Sequence, residues 1–409
     1  MTTDHAVLSV PLAARERRTW QPRETGYYSR REVQRQTGEY ESIIPIALAE
    51  WQPSIPAGLA AELDDATAAL IDFDTYADRR LGAGDETLGP MAAILLRSES
   101  ASSSQIENLT SSARQLALAE LGEPSAANSR IVVGNVRAME AALALAGQLD
   151  TSTILQMHDA LLQHQPGMLE NAGRWRDELV WIGSGNAGPL TAEFVAPHHD
   201  HLPTALDDLV RFMARDDLPV LLHVAIAHAQ FETLHPFVDG NGRTGRALAQ
   251  AMLKAKRVVT RSTVPLSSGL LVDIDGYFAA LTSFRHGDAT PIAQRFASAA
   301  LVASAIGTQL IDALADALAD ARSKLATVRS DAAAHRVLPL LIGQPIVTTA
   351  YLRRALGLND VAAKRAIDTL VARDVLVETS GRSRGRTWAQ RDILAALDAY
   401  ASRVRRSGR

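Results

Sequence analysis

Apolar residues recur at helical spacing through most of this chain. Between residues 56 and 80, Leu59, Leu63, Ala66, Leu70 and Ile71 fall near one stripe, which predicts a helix. Val132, Val133, Val136, Met139, Ala142 and Leu143 predict an amphipathic helix over 128–149, and Ser152 opens another. The period then changes. Val180, Trp181 and Ile182, a glycine-rich turn, and Glu193, Phe194 and Val195 predict a β-hairpin in an otherwise helical chain. A helix from His201 or Leu202 to Met213 follows. Residues 218–234 are apolar almost all round, the signature of a helix buried on every side. Further helices are expected after residue 242, from Asp275, and over 292–330, where Leu301, Ile306, Leu310, Leu314 and Leu318 lie near one stripe. Residues 1–40 are polar, with Arg15, Arg17, Arg18, Arg23, Arg30, Arg31 and Arg35, and predict a solvated extended arm. Residues 43–48, interrupted by Pro45, predict a packed extended segment or a helix start. The serine cluster at 98–104 predicts another helix start, with Ser103 or Ser104 capping and Glu107 in the first turns.

Composition narrows the class. The chain has 409 residues, 47% of them hydrophobic and 22% charged, enough for two or three globular domains. Cysteine is absent, which excludes disulfides and thiolate metal sites and fits a cytoplasmic location. No signal peptide and no membrane span are expected. Residues 337–409 hold 13 Lys and Arg against 6 Asp and Glu, a net of +7 in a chain of net −4, leaving −11 for the rest. An acidic body with a basic tail predicts separate modules. The expected division is 1–90, a helical region; 91–330, a central domain; and 331–409, a tail unit.

The chemistry concentrates in residues 235–246, HPFVDGNGRTGR. Gly240, Asn241 and Gly242 make a tight turn that opens a helix, where unpaired N–H groups and the helix dipole favour an anion. Arg243 and Arg246, three apart, share one face at that end. Together they describe a polyphosphate pocket. Asp239 precedes the turn, placed to hold a magnesium ion, and His235 is a titratable base one turn earlier. No Gly-Lys-Ser/Thr follows, so this is not a P-loop. Elsewhere, the Pro197-His-His-Asp-His201 run does not follow a recognised zinc pattern. His223 and His228 are five apart and read as core residues, and His158 and His164 as surface or core-edge ones.

The twelve-residue string resembles the signature of the Fic family, His-x-Phe-x-Asp/Glu-Gly-Asn-Gly-Arg-x-x-Arg, without a departure. That resemblance implies an all-α core with a β-hairpin flap. It also implies transfer of AMP from ATP to a Tyr, Thr or Ser hydroxyl of a target protein. His235 would be the general base and Phe237 an anchor of the loop. Asp239 would bind Mg2+. Gly240, Asn241 and Gly242 would form the anion hole, with Arg243 on the β-phosphate and Arg246 on the γ-phosphate. Tyr277 would be either an adenosine contact or a packing aromatic. The hairpin would align the target by strand addition. Ser103-x-x-x-Glu107-Asn108 is similar to the family's inhibitory motif, whose glutamate pairs with the second motif arginine, here Arg246.

The tail reads as helix, turn, helix and basic hairpin. Thr348 or Thr349 caps the first helix and Gly357 ends it; Asn359 or Asp360 caps the second. A strand from Val375 and a return to Trp388 flank Arg382, Arg384 and Arg386. This resembles a winged helix, a module that contacts DNA or protein. Expected partners are a target protein, ATP and Mg2+, with self-modification in a homodimer and DNA as further options. The rival functions are a nucleotide-responsive DNA-binding regulator, or removal of AMP by the same site.

Overall fold

A computed structural model describes residues 7–22, 29–81, 85–183, 188–379 and 385–407. Among the described residues it is mostly helical with three small sheets, and its contacts divide it into two compact units, each assembled from separated segments.

One unit gathers Met1–Asp64, Ala141–Ala255 and Asp275–Ala297. At its heart lies the central helix Val220–Leu234, whose residues from Leu221 onward are all buried. With no polar stripe to give to water, this helix is surrounded: the amphipathic helix Leu202–Met213 and the helix Asn241–Ala255 both pack on it. His223 donates from Nε2 to the Phe212 carbonyl at 2.8 Å, the satisfied core histidine that the sequence suggests. Asp208 accepts from the Leu48 and Ala49 N–H groups at 2.6 and 3.2 Å, which pins the extended segment after residue 44.

The polar N-terminal arm is not simply solvated. Ala14–Trp20 pairs antiparallel with Gly38–Ile44, from Ala14 opposite Ile44 to Trp20 opposite Gly38. The arginines conceal the strand because they lack apolar alternation. Arg17 meets Glu41 at 3.0 Å and Arg18 meets Glu16 at 3.0 Å, so charge pairing replaces the hydrophobic pattern. Arg23 lies outside the described residues. The expected hairpin forms: Trp181–Ile182 pairs with Phe194–Val195, and Trp20 packs edge-on against Trp181 at 5.3 Å. Residues 184–187 of its turn lie outside the described residues.

The second unit gathers Asp65–Glu140, Lys256–Ile274 and Ser298–Arg409. Its helix Asp85–Ile106 corrects one expectation. Ser103 and Ser104 sit at the end of that helix, not at its start. Serines suit either location; the surroundings decide. Ser100, Ser102, Ser103 and Ser104 are buried, and Asn135 donates to the Ser100 carbonyl at 2.8 Å and to Ser104 Oγ at 3.1 Å. Asn108 adopts a left-handed φ of 61°, and the Leu109 N–H returns to the Ser104 carbonyl at 3.0 Å, a helix C-terminal stop. Glu107 is therefore held in a closed turn at a helix end. The same helix is tied down by Glu99, which accepts from Ser267 N and Oγ at 2.8 and 2.6 Å, and by Arg97, which donates to Glu120 and the Gly343 carbonyl.

In the tail, Thr348 and Asn359 cap Thr349–Leu356 and Asp360–Ala372, and Gly357 ends the first at φ 64°. Trp388–Ala389 forms the middle strand between Ile346–Val347 and Val377–Glu378. The strand at 346–347 and the last helix, Arg391–Ser407, carry no sequence signal noted above. Arg382 and Arg384 lie outside the described residues. The helix Thr290–Lys324 is long and apolar enough to cross a membrane (mean hydropathy 1.4), but Ala303, Leu310, Ile311, Leu314 and Leu318 are buried in the fold.

Gly269 stands where a Cβ would collide with the Ala299 backbone. We expect Gly269→Ala to destabilise the protein by about 1–3 kcal/mol, read as a lower urea midpoint; an unchanged midpoint would show that this approach is not tight.

Candidate active site

The central helix ends in a strained cap. His235 sits at φ 47° and ψ 57°, left-handed, while its N–H still returns to the Phe231 carbonyl at 3.0 Å. A non-glycine residue in that region costs on the order of 1–3 kcal/mol and is kept only where neighbours enforce it. Here they do. Phe237 is fully buried, stacked on His158 at 3.6 Å and on Trp175 at 4.9 Å. The Asn241 side chain closes the loop, accepting from Phe237 N at 2.9 Å and donating to Phe237 O at 2.8 Å.

The turn into the next helix is equally fixed. Gly240 has φ 77°, and a Cβ there would lie 2.8 Å from Leu161, so both conformation and space require glycine. Asn241 begins the helix, and its start presents the N–H groups of a short glycine turn. Arg243 and Arg246 are 2% and 4% exposed. Arg243 reaches Gln165 Oε1 at 3.3 Å and both Asp239 oxygens at 3.5 Å. Gln165 also donates to Asp239 at 2.7 Å, and Asp239 accepts from the Gly240 N–H at 2.7 Å. The Asp239 side chain remains 39% exposed. An open carboxylate oriented by Gln165, Arg243 and the Gly240 N–H beside an anion-binding turn fits a hard, oxygen-seeking cation such as Mg2+.

Three histidines of this unit are held neutral. His235 is lowered to about 4 by burial, and the Arg285 and Arg176 guanidiniums push the same way. Its Nδ1 lies 3.4 Å from the Glu232 carbonyl, an acceptor only, which assigns the proton to Nδ1 and leaves Nε2 with the lone pair. His158, also lowered to about 4 by burial, is not the surface or core-edge residue the sequence suggests. It is fully buried, accepts the Gly173 N–H at Nδ1 and donates from Nε2 to the Asp239 carbonyl at 3.0 Å. His228 is lowered to about 3 by burial and the nearby charge of Arg246. Tyr277 is 1% exposed and its hydroxyl hydrogen-bonds His228 at 2.7 Å.

Two further residues beside His235 carry no motif. Arg285 stacks 3.7 Å over the ring of Phe194, a flap residue whose ring lies 6.5 Å from that of His235. Arg176 hydrogen-bonds the main chain around His235. The sequence gives each only as an isolated arginine. At Pro197–His201, ligand atoms of His198, His199 and Asp200 lie within 4.8 Å of one another. Asp200 there meets His198 at 2.9 Å and Arg18 at 3.5 Å. Ser103 and Glu107 belong to the other unit.

The geometry joins a neutral imidazole, a carboxylate and a glycine-turn anion site on one loop. Residues 148–253 match the Fic/DOC family model, and this part of the chain is a Fic domain. The chain is 30% identical over 148 residues to "Protein adenylyltransferase Fic" of Nematostella vectensis, an alignment covering 34% of this chain and 29% of that protein. It is 31% identical over 106 residues to "Protein adenylyltransferase fic-1" of Caenorhabditis briggsae, covering 26% of this chain and 19% of that one. The chain thus spans under a third of the length of these curated relatives. The crystal structure of a Fic family protein from Desulfovibrio desulfuricans shares the fold at a TM-score of 0.50 and 22% identity, over 83% of this chain and 98% of that one.

The neutral histidines give a stability prediction. Each has a folded pKa below the unfolded value of about 6.5. As pH falls through 6.5 the unfolded chain takes up protons that the folded one refuses, so stability is full above 6.5 and is lost toward 4. Between pH 6.5 and 5, above the range of unfolded carboxylates, we expect the urea midpoint to fall steadily. A flat midpoint across that window contradicts the burial of these imidazoles in neutral form.

Proposed function

We propose that this protein is an adenylyltransferase that moves AMP from ATP to a hydroxyl side chain of a protein. The observation that carries the reading is the fixed loop from His235 to Arg246, which carries a neutral imidazole and a glycine-turn anion site within twelve residues. The target hydroxyl oxygen attacks the α-phosphorus, the bond from that phosphorus to the bridging oxygen breaks, and pyrophosphate leaves. His235 Nε2 takes the hydroxyl proton. The turn at Gly240, Asn241 and Gly242 holds the α- and β-phosphates, Arg243 the β-phosphate and Arg246 the γ-phosphate. Asp239 would hold magnesium, which when bound neutralises phosphate charge. Catalysis is then chiefly positioning and charge stabilisation.

Glu107 restrains this activity in the same proposal. Its motif, the buried Ser103 and the left-handed Asn108 that ends its helix support a fixed carboxylate rather than a mobile one. A carboxylate that occupies the fork of Arg246 competes with the γ-phosphate. A bias of about 1.4 kcal/mol shifts occupancy tenfold.

The tail is proposed to be a winged helix that contacts protein. The exposed face of Asp360–Ala372 offers Lys364 and Arg365 against Asp360 and Asp368, with Val361 67% exposed, and Arg386 is paired with Glu378 at 2.7 Å. A balanced face with an apolar residue suits a protein better than a phosphate backbone.

Incubation with MgATP and intact-protein mass spectrometry tests the reading. We expect Glu107→Gly to gain the mass of AMP about tenfold faster than wild type and His235→Ala to gain none. Transfer that survives His235→Ala removes the assignment of the base, and equal rates for Glu107→Gly and wild type remove the restraint. The rate of Glu107→Gly should also decline on acidification only below pH 6.5, because His235 titrates below its ordinary value.

A further inference from the structure

Arg176 belongs to none of the motifs, yet it is 4% exposed, and among the described residues its guanidinium donates to main-chain carbonyls. Its Nε donates to His235 O at 2.8 Å and its Nη1 to Glu178 O at 2.8 Å. Its Nη2 donates to Pro197 O at 2.6 Å and Leu234 O at 3.3 Å. Its own N–H donates to Pro236 O at 3.0 Å.

These acceptors come from two places. Glu178 precedes the first flap strand, Trp181–Ile182, and Pro197 follows the second, Phe194–Val195. Leu234 is the last residue of the central helix, His235 its left-handed cap and Pro236 the residue after it. One planar cation therefore ties both stems of the flap to the peptide that carries the imidazole. Carbonyls at a helix end have no donor within the helix, and a cation suits the negative end of the dipole. Burial lowers Arg176 to about 10, so holding the charge here is costly. Lysine could not replace the fork, because an ammonium lacks its planar spread of donors.

We infer that Arg176 is a positioning residue that fixes the His235 imidazole relative to the flap, so that a segment seated on the flap presents its hydroxyl to the base in one register. This rests on the transfer reading above. In that setting ATP contacts the turn and helix that follow His235, whereas the target contacts the flap, so loss of Arg176 separates the two.

The test uses Arg176→Lys and Arg176→Gln in full-length Glu107→Gly protein, each first shown to be folded by urea unfolding; the lysine variant serves if the glutamine variant does not fold. We expect kcat for AMP transfer to fall by at least about tenfold, since a misplacement of about 1 Å can cost 10²-fold. Affinity for MgATP, by calorimetry, should stay within about twofold, and lysine should restore part of kcat. An NMR pH titration of the histidine rings gives a readout without turnover. His235 should titrate higher in Arg176→Gln than in the parent, because a positive neighbour is gone, while His228 stays put. A folded variant with parental kcat overturns the inference. So does a parallel loss of MgATP affinity and kcat, or an unmoved His235 titration. If the Glu107→Gly parent transfers no AMP, the transfer reading has failed and this inference falls with it, whereas a parent that transfers with unaffected Arg176 variants overturns the inference alone.

Discussion

The hydrogen bonds between the Asn241 side chain and the backbone of Phe237 hold the arrangement of this site. They close residues 237–241 into a small ring that cannot open without exposing the buried Phe237 ring and leaving two main-chain groups unpaired. Everything the loop offers depends on that closure. Upstream of it His235 adopts a left-handed cap; downstream a helix starts at Asn241, with Gly240 at φ 77° where a Cβ would lie 2.8 Å from Leu161. His158 completes the support, stacking on Phe237 and gripping the Asp239 carbonyl with one ring.

This support has an electrostatic price. Arg243, Arg246 and Arg176 are charged groups almost out of water, and three histidines are held neutral beside them. Buried charge of one sign opposes folding unless anions or dipoles answer it. Within this unit, carbonyls answer Arg176, and Asp239 and Gln165 answer Arg243.

What could be read from the sequence followed from how local each feature is. The motif loop was legible because its chemistry lies within twelve consecutive residues, and the central helix because it is apolar on every face. The roles of Arg176 and Gln165 were not, since their partners come from segments far away in the chain. The strand Ala14–Trp20 was hidden because ion pairs take the place of apolar alternation. The serine cluster misled about helix direction: the same residues cap a helix start or line its buried end, and only Asn108 in a left-handed turn settles which. His158 gave no signal of burial, because its partners are a ring and a carbonyl that only the fold supplies.

The most direct test of AMP transfer is to follow which phosphate stays on protein. Glu107→Gly would be incubated with Mg2+ and ATP radiolabelled at either the α- or the γ-phosphate, with His235→Ala in parallel. The account predicts label on protein from α-labelled ATP, none from γ-labelled ATP, and neither with His235→Ala. Label retained from the γ-phosphate would contradict it, because the loop would then be moving phosphate rather than AMP.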